Sequence, residues 1–359
     1  VTILHGPDEL TAAWLTGALR GSGALTGGAV ASFTTAAIGT GQMGDAFRIG
    51  LRYDRDEPGA PETVVAKFAT TDEGSRAAGL VLRAYEIEVN VYRSVTSRLA
   101  LRTPRCHHAD VDPATGWFTL LLEDMAPAVQ GDQLAGLTAD QVEHAAVALA
   151  GLHGPCWGDP ELASLEWLNR HTEEVAALTA MLVSGLFPGF VERYGDQLTC
   201  DELDVTAHLM DRLFAYFCER PGTMTVTHGD YRPDNFLLGA AGSPAPFTVV
   251  DWQTAAWGPP MPDVSYAIAL GFADPAERAQ HEERIVGRYH EALLAHGVED
   301  FDRDQCWLEY RRGSFANLVM TVAPAMLVER TERGDQMFLA SLRRGVAQIR
   351  DLDALDLLP

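Results

Sequence analysis

Apolar positions along this chain follow two regimes. Up to about residue 123 they fall in short runs rich in β-branched and aromatic residues, and beyond it they recur mostly at three- and four-residue spacing. In the first regime ELTAAWLTGALR, with Asp8 as the expected N-cap, predicts a helix that GSGALTGG ends. The runs VASFTTAAIG, AFRIGLRYD and ETVVAKFAT predict three strands, with DRDEPGAP turning the chain between the last two. A single helix is predicted from Gly74 to Leu99, because Leu82, Tyr85, Val89, Tyr92 and Leu99 make one apolar stripe. Strands over Arg105 to Val111 and Trp117 to Leu122 then meet at DPATG, and Glu123 to Met125 reads as the crossing into a second region.

That second region is predicted helical. Thr138 and Gln141 form a capping-box pattern in front of Val142, Ala146, Leu149 and Leu152. One hairpin interrupts it, with FLL after Asn235, the loop GAAGSPAP, and FTVV delivering Asp251. The chain is 359 residues long, enough for two lobes with a cleft between them, expected as 1–123 and 124–359.

Composition narrows the function classes. With 47% hydrophobic and 21% charged residues, and no uninterrupted apolar run near the roughly 18 residues of a membrane span, the expectation is a soluble globular protein without a membrane partner. The start VTILHGPDEL lacks the basic and apolar regions of a secretory signal. Five scattered cysteines without a CxxC pair argue against a disulfide framework or zinc site and point to a reducing, cytoplasmic setting. A formal charge of -23 argues against nucleic acid as a partner. Of 27 basic residues only Lys67 is a lysine. A compact ammonium and a planar guanidinium differ wherever a point charge must sit among phosphates, so the exception matters.

The chemistry concentrates in VTHGDYRPDNFLLG, at 226–239, and FTVVDWQ, ending at Gln253. Asp230 is placed to take a proton from an attacking hydroxyl, Asn235 to hold one magnesium ion, and Asp251 to hold the metal that bridges phosphates, an order that phosphoryl transfer requires. Between the first two strands Gly39, Gly41 and Gly44 read GxGxxG. A strand follows where a dinucleotide-binding turn would have a helix, which leaves a glycine-rich flap over phosphates or an ordinary hairpin. Lys67, on the third strand, is the expected phosphate clamp. Glu88 and Glu86 compete as its partner, and Glu88, nearer the buried stripe, is preferred. His228 reads as a brace for the loop, and Asp263 either caps the next helix or braces the loop from beneath, the second being preferred. Arg232 and Asp234 either touch metal or substrate or are solvated loop residues, the second being preferred. Cys106, His107 and His108 alternate in direction on a strand and do not suit one ion. His153 reads as a core histidine.

These segments resemble the small-molecule kinases that include aminoglycoside phosphotransferases, choline kinases and ecdysteroid-kinase-like proteins. HGDYRPDN is similar to their HGDxxxxN loop and VVDWQTAAWGPPMPDVSYA to their metal-binding segment. DWQ, EVNVY from Glu88 and LLLEDM are closest to the ecdysteroid-kinase-like branch, and the resemblance spans Ile38 to Leu270. It implies an α+β protein-kinase-like fold, a five-stranded antiparallel N-terminal lobe and a helical C-terminal lobe. It also implies ATP or GTP as donor, with adenine at the backbone of Glu123 to Met125 and Mg2+ at Asn235 and Asp251. HGD in place of HRD, and no APE-like segment, imply a small hydroxylated acceptor in place of a protein. A nucleotide-binding pseudokinase, acting as regulator or scaffold, is the alternative. Trp157, Trp167, Phe187, Phe190, Tyr194 and Trp257 suit an apolar acceptor, whereas Glu192, Asp196, Asp201 and Asp204 suit an amine.

Overall fold

The computed structural model describes residues 2–39, 44–170, 172–219, 222–240, 242 and 246–359. The chain divides into two compact units, one comprising 1–98, 102–129 and 239–254, the other 99–101, 130–238 and 255–359.

The first unit is built on an antiparallel sheet of β1 (Val30–Ile38), β2 (Gly44–Tyr53), β3 (Thr63–Ala69), β4 (Cys106–Val111) and β5 (Phe118–Glu123). Its order is β1-β2-β3-β5-β4, so β3 is central, with Lys67 opposite Ala46 on one side and Leu120 on the other. Strand alternation sorts the faces of β3. Val64, Ala66 and Phe68 pack into a core with Trp14, Leu15 and Leu19 of the first helix, α1 (Ala12–Gly21). Val65 and Lys67 therefore point to the opposite face. The cap of α1 is Thr11, whose side chain accepts from the Trp14 N–H, and Asp8 falls instead in a preceding 3-10 turn, Pro7–Glu9.

The helix expected from Gly74 to Leu99 is broken into α2 (Glu73–Val81) and α3 (Ala84–Ser94). Arg83 between them is left-handed, at φ 56°. The break has a packing cause. Tyr85 folds back so tightly over Gly79 that a Cβ there would overlap its ring, and it stacks on Phe118 at 5.0 Å. Leu82, part of the predicted stripe, is left exposed, while Glu88 stays on the buried side of α3.

The second unit is helical. It contains α4 (Ala139–Ala148), α5 (Ala150–His153), α6 (Pro160–Ala163), α7 (Glu173–Tyr194), α8 (Cys200–Cys218), α9 (Met261–Gly271), α10 (Pro275–Ala295), α11 (Arg303–Gly313), α12 (Ala316–Leu327) and α13 (Glu332–Asp351). Thr138 and Gln141 close the predicted capping box of α4, and Thr199 with Glu202 closes another on α8. A small sheet not foreseen from the sequence joins Asn169–Arg170, Ala256–Gly258 and Thr225–Thr227. Strands of two or three residues are too short to show a period. Helix α9 is buried along its whole length, with Val264, Ile268 and Leu270 fully enclosed.

One segment, Glu173–Gln197, is long and apolar enough by length and composition to cross a membrane, although it holds no uninterrupted apolar run of the length expected for a span. Thr179, Ser184, Gly185 and Pro188 interrupt its strictly apolar residues and hide it from a search for unbroken runs. Here it packs within the helical unit, where Ser184 Oγ donates to the Met210 carbonyl.

Candidate functional site

In the sheet unit Lys67 reaches from the centre of β3 to α3. Its Nζ lies 2.8 Å from both carboxylate oxygens of Glu88 and 3.1 Å from Asp251 Oδ1. Burial works against the ammonium charge, but the facing carboxylates of Asp251 and Glu88 outweigh it and raise the Lys67 pKa above its ordinary value. Glu88 is 2% exposed, and burial, only partly offset by Lys67, raises its pKa. Glu86, the competing partner, pairs with Arg83 at 2.9 Å. Asp251 sits just beyond the strand Phe247–Val249, and its Oδ2 accepts from Gln253 Nε2 at 3.1 Å. Its φ of 70° is unusual for a residue with a side chain.

Of the three glycines, Gly39 lies at the end of β1 with φ 72°, and Gly41 falls outside the described residues. Gly44 opens β2 against the lysine, where a Cβ would come to 3.0 Å from the Phe68 carbonyl oxygen and 3.5 Å from Lys67 Cε. Glu123 ends β5, and its carboxylate accepts from Arg102 at 2.6 and 2.7 Å and from the Arg105 N–H at 2.9 Å. Asp124 is gripped by Arg48 at 2.6 and 3.1 Å, and Met125 Sδ lies 3.9 Å from Arg102. Arginines thus hold both acidic side chains of this segment, Arg48 through two nitrogens and Arg102 through one.

In the helical unit the loop after Thr225–Thr227 is braced by Asp263 of α9. Its Oδ2 accepts from the His228 N–H at 2.6 Å and its Oδ1 from the Gly229 N–H at 2.9 Å, while His153 Nε2 lies 3.4 Å away. Gly229, at φ 82°, makes the turn that a side chain would strain. His228 Nδ1 accepts from the Asp230 N–H at 3.3 Å, so His228 is part of the loop's internal bracing. His153 is fully buried, with Nδ1 2.8 Å from Tyr289 Oη.

The Asp230 carboxylate is surrounded by donors. Arg232 Nε donates to both oxygens at 2.9 and 3.0 Å, Asn235 Nδ2 donates at 2.9 Å, and Tyr266 Oη at 3.3 Å. Burial pushes the Asp230 pKa up, but Arg232 and the other donors prevail and hold it below the ordinary carboxylate value. Asn235 is 5% exposed, and with Nδ2 turned to Asp230 its Oδ1 remains as its side-chain acceptor. Asn235 Oδ1 and the Asp251 carboxylate are hard oxygen donors of the kind magnesium takes. Among the described residues no group of three or more His, Cys, Asp and Glu is placed to hold a metal ion. Around the Cys106 strand, His107 Nδ1 lies 3.0 Å from Ser22 Oγ and His108 packs edge-on against Trp14.

Arg232 and Asp234 are not the solvated loop residues expected. Arg232 Nη1 contacts Asp234 Oδ2 at 2.8 Å, with side-chain exposures of only 20% and 15%. Tyr266 and Gln133 join the site without being singled out by any sequence motif, and Gln133 Oε1 accepts from Arg232 at 2.7 Å. Tyr266 had a usable signal, standing one helical turn after Asp263; Gln133 had none.

The five-stranded antiparallel sheet and the helical unit define a protein-kinase-like α+β fold. Residues 53–306 match the profile of the phosphotransferase enzyme family, and the chain belongs to that family. Its fold is similar to that of a Ralstonia eutropha protein provisionally assigned as an aminoglycoside phosphotransferase, at 15% identity over 96% of this chain and 98% of that one, TM-score 0.57. It is similar also to the GDP complex of aminoglycoside 2′-phosphotransferase-IIIa, at 16% identity, 88% and 94% coverage and TM-score 0.52. A choline kinase from Cryptosporidium parvum is a third, at 10% identity, 90% coverage of both chains and TM-score 0.53. None of the curated proteins matches the sequence.

Proposed function

We propose that this phosphotransferase is a small-molecule kinase that moves the γ-phosphate of ATP, with GTP as the alternative donor, to a hydroxyl of a small organic acceptor in the presence of Mg2+. The observation that carries the reading is the Asp230 loop, a carboxylate held ionised beside an Asn235 that offers an amide oxygen. In this reading Asp230 orients the acceptor hydroxyl and accepts its proton as general base. Lys67, steadied by Glu88, grips phosphate oxygens, and Gly39, Gly41 and Gly44 cover them. The backbone of Glu123 to Met125 receives the base of the nucleotide. Asn235 and Asp251 would hold magnesium, which supplies charge neutralisation at the phosphates when bound. The GDP bound by one relative and the name of the choline kinase support a nucleotide donor and a small alcohol acceptor.

Asp230→Ala tests this directly. Phosphoryl transfer to an acceptor found by screening hydroxylated antibiotics, sterols, sugars and amino alcohols should fall by about 10² to 10⁴-fold, with Mg-ATP affinity nearly unchanged. Undiminished transfer in this variant would remove Asp230 from the role of base. ATP binding without transfer in the unaltered protein, across the acceptor panel, would favour the pseudokinase reading.

A further inference from the structure

Between β5 and α4 the chain passes through an irregular stretch in which Gln133, only 2% exposed, uses every polar group it has. Its N–H donates to Asp234 Oδ1 at 3.0 Å, and its Oε1 accepts from Arg232 Nη1 at 2.7 Å. Its Nε2 donates to Ser341 Oγ at 3.3 Å, and its carbonyl accepts from Arg344. A guanidinium only donates, so the amide oxygen must face Arg232 and the amide nitrogen Ser341. Two of the four bonds run to the Asp230 loop and two to α13.

The neighbours of Gln133 repeat the arrangement. Gln130 Nε2 donates to the Asp234 carbonyl at 2.6 Å, and the Gly131 N–H donates to the Phe236 carbonyl at 2.9 Å. Gly131 lies so close to Pro233 that a Cβ would overlap its carbonyl oxygen. On the other side Arg344, 7% exposed, also donates to the Leu134 and Leu270 carbonyls, each at 3.2 Å. Met337 Sδ of α13 lies 3.4 Å from Arg232 Nη1. The Arg232 side chain has four rotatable bonds, and its Nε reaches both Asp230 oxygens only in one of the many orientations those bonds allow. Gln133 and Asp234 hold Nη1 in the orientation that keeps Nε on Asp230.

We propose that Gln133 is a positioning residue for the transfer step, tying helix α13 to the Asp230 carboxylate through Arg232 and Asp234. The inference rests on the reading of Asp230 as the general base. It predicts a specific split between turnover and binding. In Gln133→Leu, which keeps the volume and removes both side-chain partners, kcat should fall about ten- to a hundredfold while the Mg-ATP dissociation constant stays within about twofold. Hydrogen exchange in peptides spanning 228–235 should rise, with that of the β1–β5 sheet unchanged. Gln133→Glu keeps an acceptor toward Arg232 and an oxygen that the Ser341 hydroxyl can donate to, so it should recover most of kcat. Ser341→Ala, the milder cut, should lower kcat about severalfold.

Turnover is measured as ADP release from Mg-ATP, with water or a screened alcohol as acceptor. Normal kcat and normal loop exchange in Gln133→Leu would overturn the proposal. So would loss of kcat, affinity and exchange protection together in both Gln133→Leu and Gln133→Glu, since that pattern marks a purely structural residue. If neither acceptor gives measurable turnover, unchanged exchange over 228–235 in both Gln133→Leu and Ser341→Ala overturns it. Asp230→Ala separates the two readings. If it retains turnover, the assignment of the base fails; if it is inactive while Gln133→Leu is normal, only the role of Gln133 fails.

Discussion

Lys67 Nζ spends its donors on three carboxylate oxygens, two from Glu88 and one from Asp251. A guanidinium cannot take its place. It is longer, flat and fixed in its fork geometry, and it would have to displace either Glu88 or Asp251 to enter the space below Gly44. Lys67→Arg is therefore expected to weaken Mg-ATP binding about tenfold or more, near 1.4 kcal/mol, as measured by calorimetry. An affinity equal to that of the unaltered protein would show that the ammonium is not a phosphate clamp. The pairing of Lys67 with Glu88 was legible because two periodic signals converge, the alternation of β3 and the buried stripe of α3. Arg232 was not legible in this way. A loop side chain has no period, and its enclosure comes from Gln133 and Met337, about a hundred residues distant on either side.

Elements were read well where caps and periods are local, and poorly where contacts from elsewhere bend them. The capping box of α4 is a four-residue signal and was found; the interruption between α2 and α3 depends on Phe118, more than thirty residues on, and was not. Asp263 shows a related ambiguity. In the first turn of α9 it would suit a cap, but its oxygens accept from His228 and Gly229, so α9 braces the loop. A loop clasp of the same kind occurs between α1 and β1. The Glu57 carboxylate accepts from the Thr26 hydroxyl and from the N–H groups of Gly27, Thr26 and Gly28, which lower its pKa from 4.5 to about 2. A depressed carboxylate pKa gives stability that is fully present above the ordinary value and fades as pH falls through the folded one. The difference in melting temperature between the unaltered protein and Glu57→Gln should accordingly be constant above about pH 5 and shrink toward zero as pH falls to about 2. A difference that does not depend on pH would show that the clasp is not ionic.

Across the whole molecule, 50 acidic residues face 27 basic ones. The charges that bear on the site are locally paired, as in Arg232 with Asp230 and Asp234, Arg48 with Asp124 and Arg102 with Glu123. The surplus of -23 is a different matter, because like charges spread over a folded surface repel one another and salt screens them. Raising NaCl from about 0.05 to about 0.5 M should lift the melting midpoints by about 2 °C or more, as read by scanning calorimetry. A fall would mean that the screened pairs stabilise more than the surplus destabilises. The chain alone announced the five strands, the helical character of the remainder, the unique lysine and the spacing of Asp230, Asn235 and Asp251, because each is written in local periods or short motifs. Folding was needed to enclose Arg232 and to recruit Gln133. Those outcomes depend on which distant side chains arrive beside a given one, and no local pattern encodes that.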